Sequence, residues 1–144
     1  MPPRPAGEPR ALALTVLPER LALCRFSADD AVPEWTVEAR AFLTISRTPT
    51  ELSIVSDEAA VPPGVSGERG YRALRVEGPL PLELVGVVAA LASPLAAAGV
   101  PIFPIATYDT DYLLVREEML ARAIAALAAA GYQVTGMALD GPAS

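Results

Sequence analysis

A chain of 144 residues that is 52% hydrophobic and 19% charged carries enough apolar material for one core or two small ones, and its net charge of −6 favours solubility. The acidic balance excludes a nucleic-acid surface, because the 11 cations, every one an arginine, are scattered and form no basic stripe. With no histidine and Cys24 as the lone cysteine, a disulfide framework and a Ser/His or Cys/His nucleophile pair are excluded, and the commonest general base and a frequent zinc ligand are missing; no phosphate loop, nucleophile elbow or dinucleotide fingerprint is present, so the chain reads as a non-enzyme with no cofactor and no metal.

The first ten residues, MPPRPAGEPR, are proline-rich and lack an apolar leader, which predicts a disordered tail, no signal peptide and a cytoplasmic protein. From Ala11 the pattern becomes ALALTVL, PER, LALCRF. Leu12, Leu14 and Val16 share one face and Leu21 and Leu23 another, which predicts a hairpin turning at PER, with Cys24 as a small buried apolar residue. Ser27 to Arg40 is polar and reads as a loop or short helical turn; its Trp35 either covers the edge of the core or stacks on a ligand. AFLTIS, RTPT and ELSIVS predict a second hairpin with Pro49 in the turn, so that residues 11–61 make N-terminal β-hairpins. Pro62, Pro63 and the glycines after them, without hydrophobic periodicity, mark residues 62–70 as a linker.

YRALRVEG, from Tyr71, alternates as a strand, and Pro79 and Pro81 announce a helix over roughly 82–98. No charge interrupts Leu84 to Val100, yet the run is rich in Ala and Gly, contains Ser93 and Pro94, and falls short of the about 20 strongly apolar residues that span a bilayer. Pro94 is expected to kink or break the helix, and Gly99 to end it. Next comes GVPIFPIATYDTDYLLVRE, two short apolar runs around the polar tip Thr107 to Asp111, which predicts a tight hairpin. Glu117 and Glu118 then suit a helix N-terminus; Leu120, Ala123, Ile124 and Leu127 recur at helical spacing, Gly131 closes the segment, and residues 132–136 form a last strand before a C-terminal tail, 137–144. Residues 71–136 thus run β, α, β, β, α, β. The fold class is α+β, a ferredoxin-like unit with an antiparallel four-stranded sheet and both helices on one face.

Ile105 to Glu117, IATYDTDYLLVRE, resembles the signature of the ACT-type small-molecule-binding domains of the group that includes aspartate kinases and the CASTOR arginine sensors. The resemblance extends to residues 86–103, GVVAALASPLAAAGVPIF, and to residues 42–58, FLTISRTPTELSIVSDE, with the N-terminal hairpins similar to the partial or swapped ACT unit that precedes a complete one. It implies an amino-acid-binding regulatory module whose ligand sits between ACT units. One chain supplies one complete unit, so the implied partner is a second copy, giving a homodimer. The alternative is an ACT-type interaction protein that keeps the pairing and has no ligand.

For the ligand, backbone amides at Gly86, Val87 and Val88 suit an α-carboxylate, since a helix start offers unpaired N–H donors and a favourable dipole. The resemblance assigns an ammonium contact to Asp111, hairpin contacts to Thr107 and Tyr108, and to Ile102 the part contributed by the neighbouring unit. Leu84 stands where an arginine sensor has an acid, with Glu83 one residue away and about 100° round a helix, which points to a neutral or apolar amino acid instead of arginine. Structural readings stand beside these: Asp109 and Thr110 as turn formers, Asp111 satisfied by nearby backbone amides, Gly86 permitting close helix packing.

Overall fold

In the computed structural model, which describes residues 12–81 and 85–136, the chain begins with one long strand, β1 (Ala13–Phe26), where the sequence predicts a hairpin. The turn at PER does not form. Leu14 and Val16 before the PER segment and Leu21, Ala22 and Cys24 after it are buried, whereas Pro18 and Arg20 are exposed, so the strand continues through PER although its buried alternation is interrupted there. Pro18 falls between the stretch of β1 that pairs with one strand up to Val16 and the stretch that pairs with another from Leu21. The predicted tails at 1–10 and 137–144, and Glu83 and Leu84, lie outside the described residues.

The chain divides into two compact units, one of them Glu19–Arg72 and the other made of the residues before and after that stretch. In the Glu19–Arg72 unit, β1 pairs antiparallel with β3 (Leu52–Asp57) from Leu21↔Asp57 to Phe26↔Leu52, and β3 pairs with β2 (Leu43–Arg47) as the predicted second hairpin. In place of helices the unit has two 3-10 turns, Glu34–Glu38 and Glu58–Ala60. Ala22, Cys24 and Val61 form one small buried cluster in it, with Phe26, Trp35 and Val65 around them. The Phe26 and Trp35 rings lie 6.4 Å apart, so Trp35 covers the core edge. β4 (Glu68–Val76) starts in this unit, inside the stretch read as a linker; Gly70, at φ 81, fits the strand because its N–H donates to Glu58 Oε1 at 2.9 Å.

The other unit holds the remainder of β4, then α1 (Val87–Ala97), β5 (Phe103–Ala106), β6 (Asp111–Arg116), a 3-10 turn, α2 (Leu120–Ala129) and β7 (Gln133–Gly136), the expected β, α, β, β, α, β. Strand order runs β4, β6, β5. The last strand differs from expectation: β7 does not return to β4 but pairs parallel with β1, from Ala13↔Gln133 to Val16↔Gly136, so residues 71–136 close their sheet only with the help of β1. Gly136 makes that pairing possible. A Cβ there would lie 2.4 Å from the Val16 carbonyl oxygen.

Val87, Leu91 and Leu95 of α1, Leu120, Ala123 and Leu127 of α2, and Leu113 and Val115 of β6 meet in one core. The spacing of the α2 residues is the helical one read from sequence. α1 begins later than predicted, because Gly86 at φ 84 sets its start and not the prolines, of which Pro79 follows Gly78 through a cis bond. Nor does Pro94 end it. The helix runs on to Ala97, held by the buried Leu91 and Leu95 on either side. Gly99 does end it, at φ 75, with Val100 N–H donating to the Leu95 carbonyl at 2.9 Å; Gly131 and Tyr132 close α2 in the same way. Among the described residues no helix is long and apolar enough to cross a membrane.

Candidate functional site

The β5–β6 hairpin reverses over Thr107 to Thr110, between the paired Ala106 and Asp111. Thr107 builds the turn with its backbone and its hydroxyl together: its N–H and its Oγ1 both donate to the Thr110 carbonyl, at 2.9 and 3.0 Å, and Thr110 N–H points back to Thr107 Oγ1 at 3.4 Å. Thr110 is buried, and its hydroxyl donates to the Val76 carbonyl at 2.6 Å. The Asp109 carbonyl accepts the N–H of Leu80 at 2.7 Å. Two hydrogen bonds therefore fasten the tip to the segment that leads from β4 to α1. Gly78 lets that segment pass close beneath, since a Cβ on it would lie 3.2 Å from the Asp109 carbonyl oxygen.

The fastening leaves a cleft of about 160 Å³. Leu80, Pro81, Val87 and Ala106 form its apolar wall, and Thr107, Tyr108, Asp109, Thr110 and Asp111 its polar side. Asp111 is half-buried, and among the described residues its carboxylate has no hydrogen-bond or ion-pair partner. Tyr108 is 79% exposed at the tip, so its ring is free to lie over a bound molecule or to meet a second chain. At the other side, the first-turn N–H groups of α1 have no partner within the helix.

Of the residues singled out from sequence, Val87, Thr107, Tyr108 and Asp111 line this one cleft. Gly86 and Val88 flank Val87 at the start of α1 without lining it, and Ile102 packs against the core of its own unit. Sequence reasoning missed Leu80 and Pro81. Their only signal was the apolar, proline-marked approach to the helix, which read as a helix start. Thr110, weighed as a turn former, is that and also the anchor of the tip. Among the described residues no three or more His, Cys, Asp or Glu side chains gather where they could hold a metal ion.

The ferredoxin-like unit that carries the cleft falls within a known family. The sequence model of the ACT domain matches residues 66–129, and an N-terminal domain model of a second family matches residues 19–64. No curated protein matches significantly. Among solved structures, a protein from Agrobacterium tumefaciens is 32% identical over 90% of this chain and 96% of its own, with a TM-score of 0.82. A Vibrio cholerae protein of unknown function, described as a possible transport protein, is 21% identical over 83% of this chain and 89% of its own, with a TM-score of 0.67. The regulatory subunit of aspartate kinase from Thermus thermophilus shares the fold at 16% identity, over 83% of this chain and 93% of its own, with a TM-score of 0.52. On its sequence match, its strand and helix order and its likeness to the Agrobacterium protein over nearly the whole of both chains, the chain belongs to the ACT-domain family.

Proposed function

We propose that this ACT-domain protein is a regulatory module that binds a free amino acid in the cleft at the β5–β6 tip and works as a homodimer. The observation that carries the reading is the unpartnered Asp111 carboxylate in a cleft that Val87, the first residue of α1, also lines. An ammonium group suits Asp111, and a carboxylate suits the α1 first turn, where N–H groups and the helix dipole both favour negative charge. The apolar wall from Leu80 to Ala106 then receives the side chain.

Pairing is supported by surfaces that a monomer has no use for. The outward residues of α1, Ala89, Ser93, Ala96 and Ala97, carry no charge, and β5, at the end of the strand order, exposes Phe103. A second copy on that side would set another chain's surface beside the cleft. The same surfaces also favour the second reading, an interaction module without ligand.

A thermal-shift screen of the common amino acids separates the two. A ligand at 100 times its dissociation constant adds about 2.7 kcal/mol of stability. Stabilisation by at least one amino acid, with a dimer by light scattering, supports the proposal; a dimer that none of them stabilises leaves the interaction reading.

A further inference from the structure

We infer that the cleft discriminates by charge, accepting a compact ammonium-bearing ligand with an uncharged side chain and rejecting acidic amino acids. This rests on the amino-acid reading above and adds the class of ligand. From Val76 to Val115 the sequence contains no arginine or lysine, while Glu77, Glu83, Asp109 and Asp111 all fall within it. Both Asp109 and Asp111 line the cleft, and among the described residues neither carboxylate has a hydrogen-bond or ion-pair partner.

The cations that bound this stretch do not offset them. Arg75 is held by Glu77, with Nη2 3.4 Å from Oε2, and Glu77 also accepts the Thr15 hydroxyl. Arg116 stands at the opposite end of β6 from Asp111. A second carboxylate on the ligand would therefore meet two like charges and, among the described residues that line the cleft, no counter-ion. The volume sets the other limit. About 160 Å³ is close to the roughly 150 Å³ that holds a benzene-sized molecule, which suits a short aliphatic or small polar side chain.

Asparagine and aspartate, nearly equal in shape, isolate the charge. Calorimetric titration of the intact protein with each, at low salt, is expected to show asparagine binding at least about tenfold tighter, and the gap is expected to narrow by 1 M salt because screening weakens repulsion between exposed charges. In an Asp109→Asn, Asp111→Asn double variant the gap should also shrink. Aspartate binding as tightly as asparagine, or a gap that salt and the double variant both leave unchanged, overturns the inference while the amino-acid reading stands. Absence of binding by every amino acid in the screen overturns both. Should the double variant fail to fold, the salt dependence of the wild-type gap decides alone.

Discussion

At the β2–β3 tip, Thr48 donates its N–H and its hydroxyl to the Glu51 carbonyl and receives Glu51 N–H on its Oγ1; at the β5–β6 tip, Thr107 does the same with Thr110. Beyond these shared bonds the tips part company. The carbonyl of Thr50, third residue of its turn, takes the Arg25 guanidinium at 2.9 Å, and the Arg47 guanidinium reaches the Ala28 carbonyl. The matching carbonyl, of Asp109, takes a backbone N–H from Leu80. Directly after the turn stands Leu52, wholly buried, in one hairpin and Asp111, half-buried and unpartnered, in the other. The first unit follows β1 with a five-residue 3-10 turn where the second follows β4 with the eleven-residue α1. One turn design thus serves two ends: braced by arginines and apolar packing it is structural, and fastened by backbone beside a helix start it leaves a cleft.

The acids of the two units make the same contrast. Asp57 is fully used within the fold, its carboxylate accepting the N–H groups of Arg40, Ala41 and Phe42 at 3.1, 2.9 and 2.8 Å. Removing it should have the largest effect on stability. Asp57→Ala is expected to lower unfolding free energy by about 3 kcal/mol in urea titrations, because charge-assisted bonds are lost and three amides are left unpaired, while amino-acid affinity stays unchanged. A loss under about 1 kcal/mol would show that the segment is held by other contacts and blur the contrast.

Thr110 is the next lever. Thr110→Val keeps the shape but takes away the bond to the Val76 carbonyl, so stability should fall by about 1–2 kcal/mol. Because the same bond fixes the tip over the cleft, ligand affinity should fall as well, measured by titration of the folded variant. Unaltered affinity would mean that the tip's position is set elsewhere.

How much of this was legible depends on how local the determining contacts are. The RTPT hairpin, the α2 stripe of Leu120, Ala123 and Leu127 and the stops at Gly99 and Gly131 follow from near neighbours in sequence, and each formed as read. The single strand β1 was hidden because Pro18–Glu19–Arg20 has turn chemistry, and its partners β3, β4 and β7 are all distant in sequence. The start of α1 was misplaced for a similar reason: two prolines announce a helix, but Gly86 supplies the left-handed residue that begins it. Of the residues that line the cleft, Thr107, Tyr108 and Asp111 were legible because they are close in sequence and resemble a family signature. Leu80 and Pro81 join them only through the Leu80 to Asp109 backbone bond, which side-chain patterns do not announce.

The central claim is that Asp111 is kept for recognition where Asp57 is spent on the fold. Calorimetric titration of the wild type and of Asp111→Asn with the amino acid that gives the largest thermal shift, beside ligand-free melting curves of both, tests it most directly. The account predicts an unchanged ligand-free melting temperature and an affinity lower by about 1.5–3 kcal/mol, roughly tenfold to a hundredfold, for the loss of one charge-assisted hydrogen bond. Equal affinities together with a lowered ligand-free melting temperature would contradict it and assign Asp111 to the turn.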